Sequence, residues 1–485
     1  MKNYNYFCTW STQSYNRPPE ISARDNLTEN SLFRKNGWLD RLDRRVCENT
    51  FLLLDDGWDV PYGLDMVRDQ KCFGSWKLQS ERFPSFPGSP SLRLKRLKEY
   101  VEERYGFCGL GIWVPAQMCE PEGEGKEEAE RYLFERLSWC EEAGICYLKV
   151  DWGKNEADEE FRRIFYSAAK TFKNITVEQA VTLPPYNGFY TPHKRYGEDC
   201  NAMRQTKLFL KNADVFRTYD VTSALSVPTT LDRVGEIFKL NKHEKSSVVL
   251  NCEDEVYLAA AMGFSMGIMR NACWEAKEPG TDFVYDLSNV GKRNDEVIRA
   301  LLWQKCAPIV PLNLTENYIS DEILTDEYLY EKGQIWFPPA FGVPVIQSAP
   351  AVMARNMPLP VVKGEPAAFC VASRNPYTGA YSVATLPRML NRKYTLPLCD
   401  VEIEVQETKD IRIGIFGRYR RLIVRAEKEV VGKKVYAADL KTGEYRQIYA
   451  VITEKSVVID GKEIDRICEN KSGDVSFPGV KLEIK

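Results

Sequence analysis

Histidine is nearly absent from this chain, with only His193 and His243 in 485 residues. That scarcity removes a His-rich metal centre and makes a Ser-His-Asp triad a poor basis for catalysis. Long apolar runs are missing as well. Nothing approaches the roughly 18 consecutive apolar residues that a membrane helix needs. The opening Met1-Lys2-Asn3-Tyr4-Asn5-Tyr6 has no apolar stretch of the kind a secretory leader carries. Excess charge of one sign is also lacking. A net charge of -3 gives no electrostatic case for nucleic acid or an anionic membrane surface. The basic run Arg93-Leu94-Lys95-Arg96-Leu97-Lys98 alternates with apolar residues and reads as a solvated helix face. Fourteen cysteines are present, but no close metal-type pairs, and Cys8, Cys108, Cys146 and Cys252 lie inside apolar runs. Reduced, buried thiols in a cytoplasmic protein are expected. If the chain is an enzyme, carboxylates are its workers.

Eight short apolar runs alternate with helical segments: 6–12 (YFCTWST), 50–56 (TFLLLDD), 109–114 (GLGIWV), 146–151 (CYLKVD), 175–180 (ITVEQA), 215–220 (VFRTYD), 247–252 (SVVLNC) and 263–269 (GFSMGIM). Runs this apolar, without clean alternation, fit strands covered on both faces. Residues 92–105 and 127–143 carry the clearest amphipathic helical period. The pattern predicts a (β/α)8 TIM barrel over 1–325. Prolines then cluster at 337–360, and alternating stretches separated by turn signals follow, predicting a C-terminal antiparallel β-sandwich domain over 326–485.

Function in such a barrel collects where the strands end. The closing residues are Trp10; Asp55, Asp56 and Trp58; Trp113 and Gln117; Lys149, Asp151 and Trp152; Glu178; Arg217 and Asp220; and 252–254. Each has a plain structural alternative. Asp56-Gly57 is ordinary turn chemistry, Glu178 and the Arg217–Asp220 pair could be structural ions, and the tryptophans could be core. Together, carboxylates, a few cations and indoles at one rim have the composition of a carbohydrate site. Asp151 and Asp220 would be the pair of a retaining glycosidase, one ionised as nucleophile and one protonated as acid. Lys149, two residues from Asp151 on the same strand face, would favour the ionised form.

At these residues the chain resembles the α-galactosidase clan, glycoside hydrolase families 27 and 36 (clan D). Phe7-Cys8-Thr9-Trp10-Ser11, Leu54-Asp55-Asp56-Gly57-Trp58, Phe86-Pro87-Gly88, Tyr147-Leu148-Lys149-Val150-Asp151 and Phe216-Arg217-Thr218-Tyr219-Asp220 are similar to its motifs, in order. The resemblance implies a retaining α-galactosidase acting on an α-galactoside oligosaccharide or glycoconjugate without metal or organic cofactor. Asp151 would be the nucleophile and Asp220 the acid/base. Asp55 and Asp56 would take the 4- and 6-hydroxyls, with Lys149 on a ring hydroxyl beside them. Trp10 and Trp58 would wall the pocket, and Arg217 would face the 2-position. Two departures from the clan are visible. Arg217 and Asp220 are separated by two residues where many relatives have three, and Val177-Glu178-Gln179-Ala180 lacks the cysteine-headed signature that selects the 2-substituent. Related α-glycosides, such as an α-N-acetylgalactosaminide, stay open. Transfer of the sugar to a second sugar uses the same carboxylates, and a sugar-binding barrel without turnover is the alternative of a different class. A Schiff-base enzyme using Lys149 would leave Asp55-Asp56-Gly57-Trp58 unexplained.

Overall fold

The computed structural model describes residues 3–485 except 16–17, 19, 66–67, 120–124, 181–199, 219–223, 270–292, 330–341, 343, 407–409 and 471–472. All eight expected strands form: β1 (Tyr6–Cys8), β2 (Phe51–Leu54), β3 (Leu110–Val114), β4 (Tyr147–Val150), β5 (Thr176–Ala180), β6 (Val215–Arg217), β7 (Val249–Asn251) and β8 (Gly267–Ile268). Every residue in them is buried. They pair in parallel in the order β7-β6-β5-β4-β3-β2-β1-β8. A parallel bridge between Asn251 and Ser265 closes the ring. Chain order is therefore barrel order, as short right-handed βα crossovers require.

The two-residue period of a strand sorts the side chains. Phe7, Leu52, Leu54, Ile112, Leu148, Val150 and Phe216 pack outward under the helices. Tyr6, Cys8, Phe51, Leu53, Trp113, Tyr147, Val215 and Val249 form a separate inner cluster. Continuing that alternation up β4 from Tyr147 brings Lys149 and then Asp151 to the inner side. The outer helices begin and end where the chain chemistry dictates. Ser89 caps Pro90–Tyr105 by accepting from the Leu92 N–H, and Gly106 ends it with left-handed backbone. Asp158 caps Glu159–Ala169 in the same way.

Several strands are shorter than their runs, β8 keeping only two residues of 263–269, and in β1 the cause is visible. The run 6–12 stops at Cys8, and a helix, Trp10–Tyr15, starts two residues later. Thr9 makes the turn: its carbonyl accepts from Gln13 N at 2.8 Å, and its hydroxyl donates to Gln13 Oε1 at 2.6 Å.

The expected boundary at 325/326 falls inside a strand, Ile323–Leu329, which pairs with Pro344–Pro350. The β-domain already begins at Asn317–Ile319, paired with Val352–Arg355. Its eight-stranded and five-stranded sheets enclose a second apolar core that includes Val383, Val401, Ile413, Leu422 and Leu482. Most pairings are antiparallel. Three are parallel: Val352–Arg355 with Phe369–Arg374, Tyr381–Leu386 with Ile411–Phe416, and Asp400–Val405 with Arg421–Ala426. The domain is fastened to the barrel by buried polar contacts. Arg299, on the barrel's last helix (Asn294–Trp303), forks onto Asp439, and Trp303 Nε1 donates to Ser382 Oγ at 2.9 Å.

Candidate active site

The end of β4 is the centre of the site. Asp151 Oδ1 lies 3.0 Å from Arg217 Nη2, and its Oδ2 accepts from Trp113 Nε1 at 3.2 Å. Lys149 Nζ stands 4.0 Å from Oδ2 and is bonded to Asp55 at 2.8 Å. Asp151 is the least enclosed charge of the group, with 13% of its side chain exposed against 2% for Lys149 and Arg217. Just beyond it the backbone of Gly153 has φ 153°, and a Cβ there would lie 2.8 Å from the Ala116 backbone. Only glycine lets the β4 loop pass the β3 loop so closely.

The Asp-Asp-Gly-Trp motif after β2 resolves into four separate tasks. Asp55 turns inward, takes Lys149, and accepts from the Cys8 thiol at 3.0 Å. Asp56 faces Arg24, which donates from Nε at 2.9 Å and from Nη2 at 2.5 Å. Gly57, at φ 119°, allows the Arg24 backbone to pass where a Cβ would meet its carbonyl oxygen at 2.6 Å. Trp58 donates Nε1 to the Trp113 carbonyl at 2.8 Å and has no exposed surface. Among the described residues the indole is enclosed by packing beneath the rim. Trp113 is also buried and turns an N–H edge toward Asp151. Trp10 and Trp152 are the half-buried indoles packed against the inner cluster. Trp152 lies against Trp113 and Phe73, and the Arg24 guanidinium covers the Phe73 ring, 4.6 Å from its centre.

Glu178 lies on the floor of the site. Tyr6 and Tyr147 hydroxyls donate to it at 2.9 and 2.6 Å, Asn251 Nδ2 donates at 2.7 Å, and Arg217 Nε is 3.6 Å away. Burial raises its carboxyl pKa, opposed chiefly by Arg217. Burial raises Asp56 too, with Arg24 opposing. Burial and the neighbouring Asp55 push the Cys8 thiol well up, so it sits here as a protonated donor. Asp220 lies outside the described residues, beyond the Arg217 end of β6.

Sequence reasoning did not select Arg24, Cys8, Tyr6, Tyr147 or Asn251, and it placed Glu253 at the rim, within 252–254, without giving it a role. Cys8, Tyr6, Tyr147 and Asn251 share the inward period with chosen residues, a signal that was available. Among the described residues, no three His, Cys, Asp or Glu side chains are placed to hold a metal ion.

No family model matches the chain, and no curated relative does. Solved structures with a similar course include a family 27 β-L-arabinopyranosidase variant of Geobacillus stearothermophilus in complex with arabinose, with 11% identity, 99% of this chain and 96% of that chain covered, and TM-score 0.44. Another is α-galactosidase I of Mortierella vinacea, with 10% identity, 99% and 96% covered, and TM-score 0.42. A Geobacillus thermoleovorans α-amylase complexed with acarbose matches equally, with 10% identity, 100% and 99% covered, and TM-score 0.43.

Proposed function

We propose that this protein is a retaining α-glycoside hydrolase whose substrate is an α-galactoside. The observation that carries the proposal is the setting of Asp151: a partly open carboxylate at the end of β4, flanked by Arg217, Lys149 and the Trp113 N–H. Two cations and an N–H donor surround the carboxylate and fix its place at the rim, where a nucleophile would stand. An Asp151 oxygen forms a bond to the anomeric carbon as the bond from that carbon to the leaving oxygen breaks. The electron pair stays with the leaving oxygen, which takes a proton from the acid, assigned to Asp220. Water, deprotonated by the same group, then attacks the anomeric carbon and returns Asp151 as a carboxylate.

Asp55 and Asp56 serve a sugar's hydroxyls as acceptors. Each carboxylate has about four acceptor positions, so the bonds to Lys149 and Arg24 still leave capacity for hydroxyl donors. Trp10 and Trp152 are the stacking surfaces. The test is hydrolysis of a panel of nitrophenyl α-glycosides by the wild-type protein and Asp151→Ala. Activity confined to the wild type, strongest on the α-galactoside, is expected. Equal activity in both would remove the nucleophile assignment, and strongest activity on another sugar would remove the substrate assignment.

A further inference from the structure

Glu253 lies two residues beyond β7, and none of its surface is exposed. Its backbone is in the left-handed region, at φ 47°. A residue with a Cβ enters that region at a cost, whereas glycine enters it freely. A turn alone would be better served by glycine. The side chain explains the glutamate: Oε1 is 3.3 Å from Arg217 Nη1, while Nη2 of the same guanidinium is 3.0 Å from Asp151. Among the described residues this buried cation therefore faces three carboxylates, and they are not equivalent. Glu178 already accepts from two tyrosine hydroxyls and Asn251, and it meets Arg217 only at Nε, 3.6 Å away. Asp151 and Glu253 take the two terminal nitrogens. Asn251 ties the floor together, donating Nδ2 to Glu178 and accepting from the Glu253 N–H on Oδ1 at 2.8 Å.

We propose that Glu253 is a positioning residue that shares the Arg217 guanidinium with Asp151, aiming it at the nucleophile and remaining its counterion when Asp151 becomes an ester. The proposal rests on the glycosidase function above. The guanidinium is planar and rigid, so holding one terminal nitrogen fixes where the other points. When Asp151 bonds to the anomeric carbon it loses its charge, and the buried Arg217 loses one of the anions around it. Glu253 stays an anion at the opposite nitrogen throughout the cycle.

Among the described residues, the groups facing Asp151 are Lys149 on its own strand, Asp55 and Asp56 after β2, Glu178 on β5, Arg217 on β6, Glu253 after β7, and the Cys8 thiol on β1. Of these, Glu253 reaches Asp151 through Arg217. Removing its charge leaves more of the guanidinium's field for Asp151 and favours the ionised nucleophile.

The test compares Glu253→Gln, which keeps the size and removes the charge, with Glu253→Gly, which suits the left-handed backbone. Both are expected to lose about tenfold or more in kcat, with KM changed less, because the interaction strengthens as charge leaves Asp151. The acid limb of the pH profile should move to lower pH. A purely conformational role predicts that Glu253→Gly retains full activity, and that result would overturn the proposal. So would a loss of activity with an unmoved acid limb, or insolubility of both variants, which would assign Glu253 to folding. A carbon-13 titration of labelled aspartate carboxyls, with Asp151 assigned by its loss in Asp151→Asn, reads the same shift without turnover. An inactive wild type in which Glu253→Gln still lowers the Asp151 midpoint would remove the glycosidase proposal and leave the Arg217 sharing standing. An unchanged midpoint would remove the sharing itself.

Discussion

Two buried arginines in this molecule meet aspartate in opposite ways. At the seam between barrel and β-domain, Arg299 lays two 2.8 Å bonds on Asp439, and its third nitrogen reaches Asn470 and the Phe477 carbonyl. At the barrel mouth, Arg217 is divided among Asp151, Glu178 and Glu253 at 3.0, 3.6 and 3.3 Å. Asp439 keeps 3% of its side chain exposed and Asp151 keeps 13%. The first pair is saturated and closed, which suits a fastening. The second leaves its aspartate partly open and its cation shared, which suits a group whose charge must change during a reaction.

If that contrast is correct, breaking each pair produces a different kind of damage. Asp151→Ala should lower kcat by about ten-thousand-fold or more, in line with removal of a catalytic nucleophile, with thermal unfolding nearly unchanged. Azide should restore turnover and yield a glycosyl azide of inverted configuration. Asp439→Ala should do the reverse. Removing one partner of a buried pair costs about 3–5 kcal/mol, read as a fall in urea or thermal resistance, while the folded fraction keeps its kcat/KM. A large activity loss in Asp439→Ala at full folding would erase the contrast.

Asp59 sharpens it from another side, because its own hydrogen bonds come from neutral groups. It is buried and accepts from the Trp76 N–H at 2.9 Å, its Oδ1 has no hydrogen-bond partner, and burial lifts its pKa from the ordinary 3.8 to about 6. The folded state therefore holds a proton that the unfolded state releases between those two values. Stability should fall by up to about 3 kcal/mol as pH rises through that window and level off above it. Asp59→Asn should flatten that decline in denaturation measured from about pH 4 to about pH 7. The smallest effect is expected at Trp58. Trp58→Phe removes the donor to the Trp113 carbonyl, at about 1–3 kcal/mol of stability, with KM for the sugar unchanged. Trp152→Ala, by contrast, should raise KM.

These expectations follow the boundary between what the sequence makes legible and what it hides. The eight strands were readable because each run is apolar on both faces, and Lys149 and Asp151 because a two-residue period forces them to one side. The anchoring of Trp58 was hidden because its partner is a backbone carbonyl 55 residues away, which no residue pattern encodes. Arg24 went unseen, and Glu253 went without a role, for a related reason: each meets a partner 32 or 36 residues distant in the chain. The parallel pairings of the β-domain were hidden too, since short alternating strands look the same in either direction. The strand Asn317–Ile319 is only half-buried to exposed, so its apolar signal was too weak to move the domain boundary forward.

The nucleophile assignment is tested most directly by trapping. A fluorinated α-galactosyl fluoride that forms the covalent intermediate faster than it is hydrolysed should inactivate the wild-type protein. Peptide mass spectrometry should then place one sugar on Asp151. A sugar on any other carboxylate, or steady turnover of the α-galactoside with no covalent adduct, would contradict the assignment.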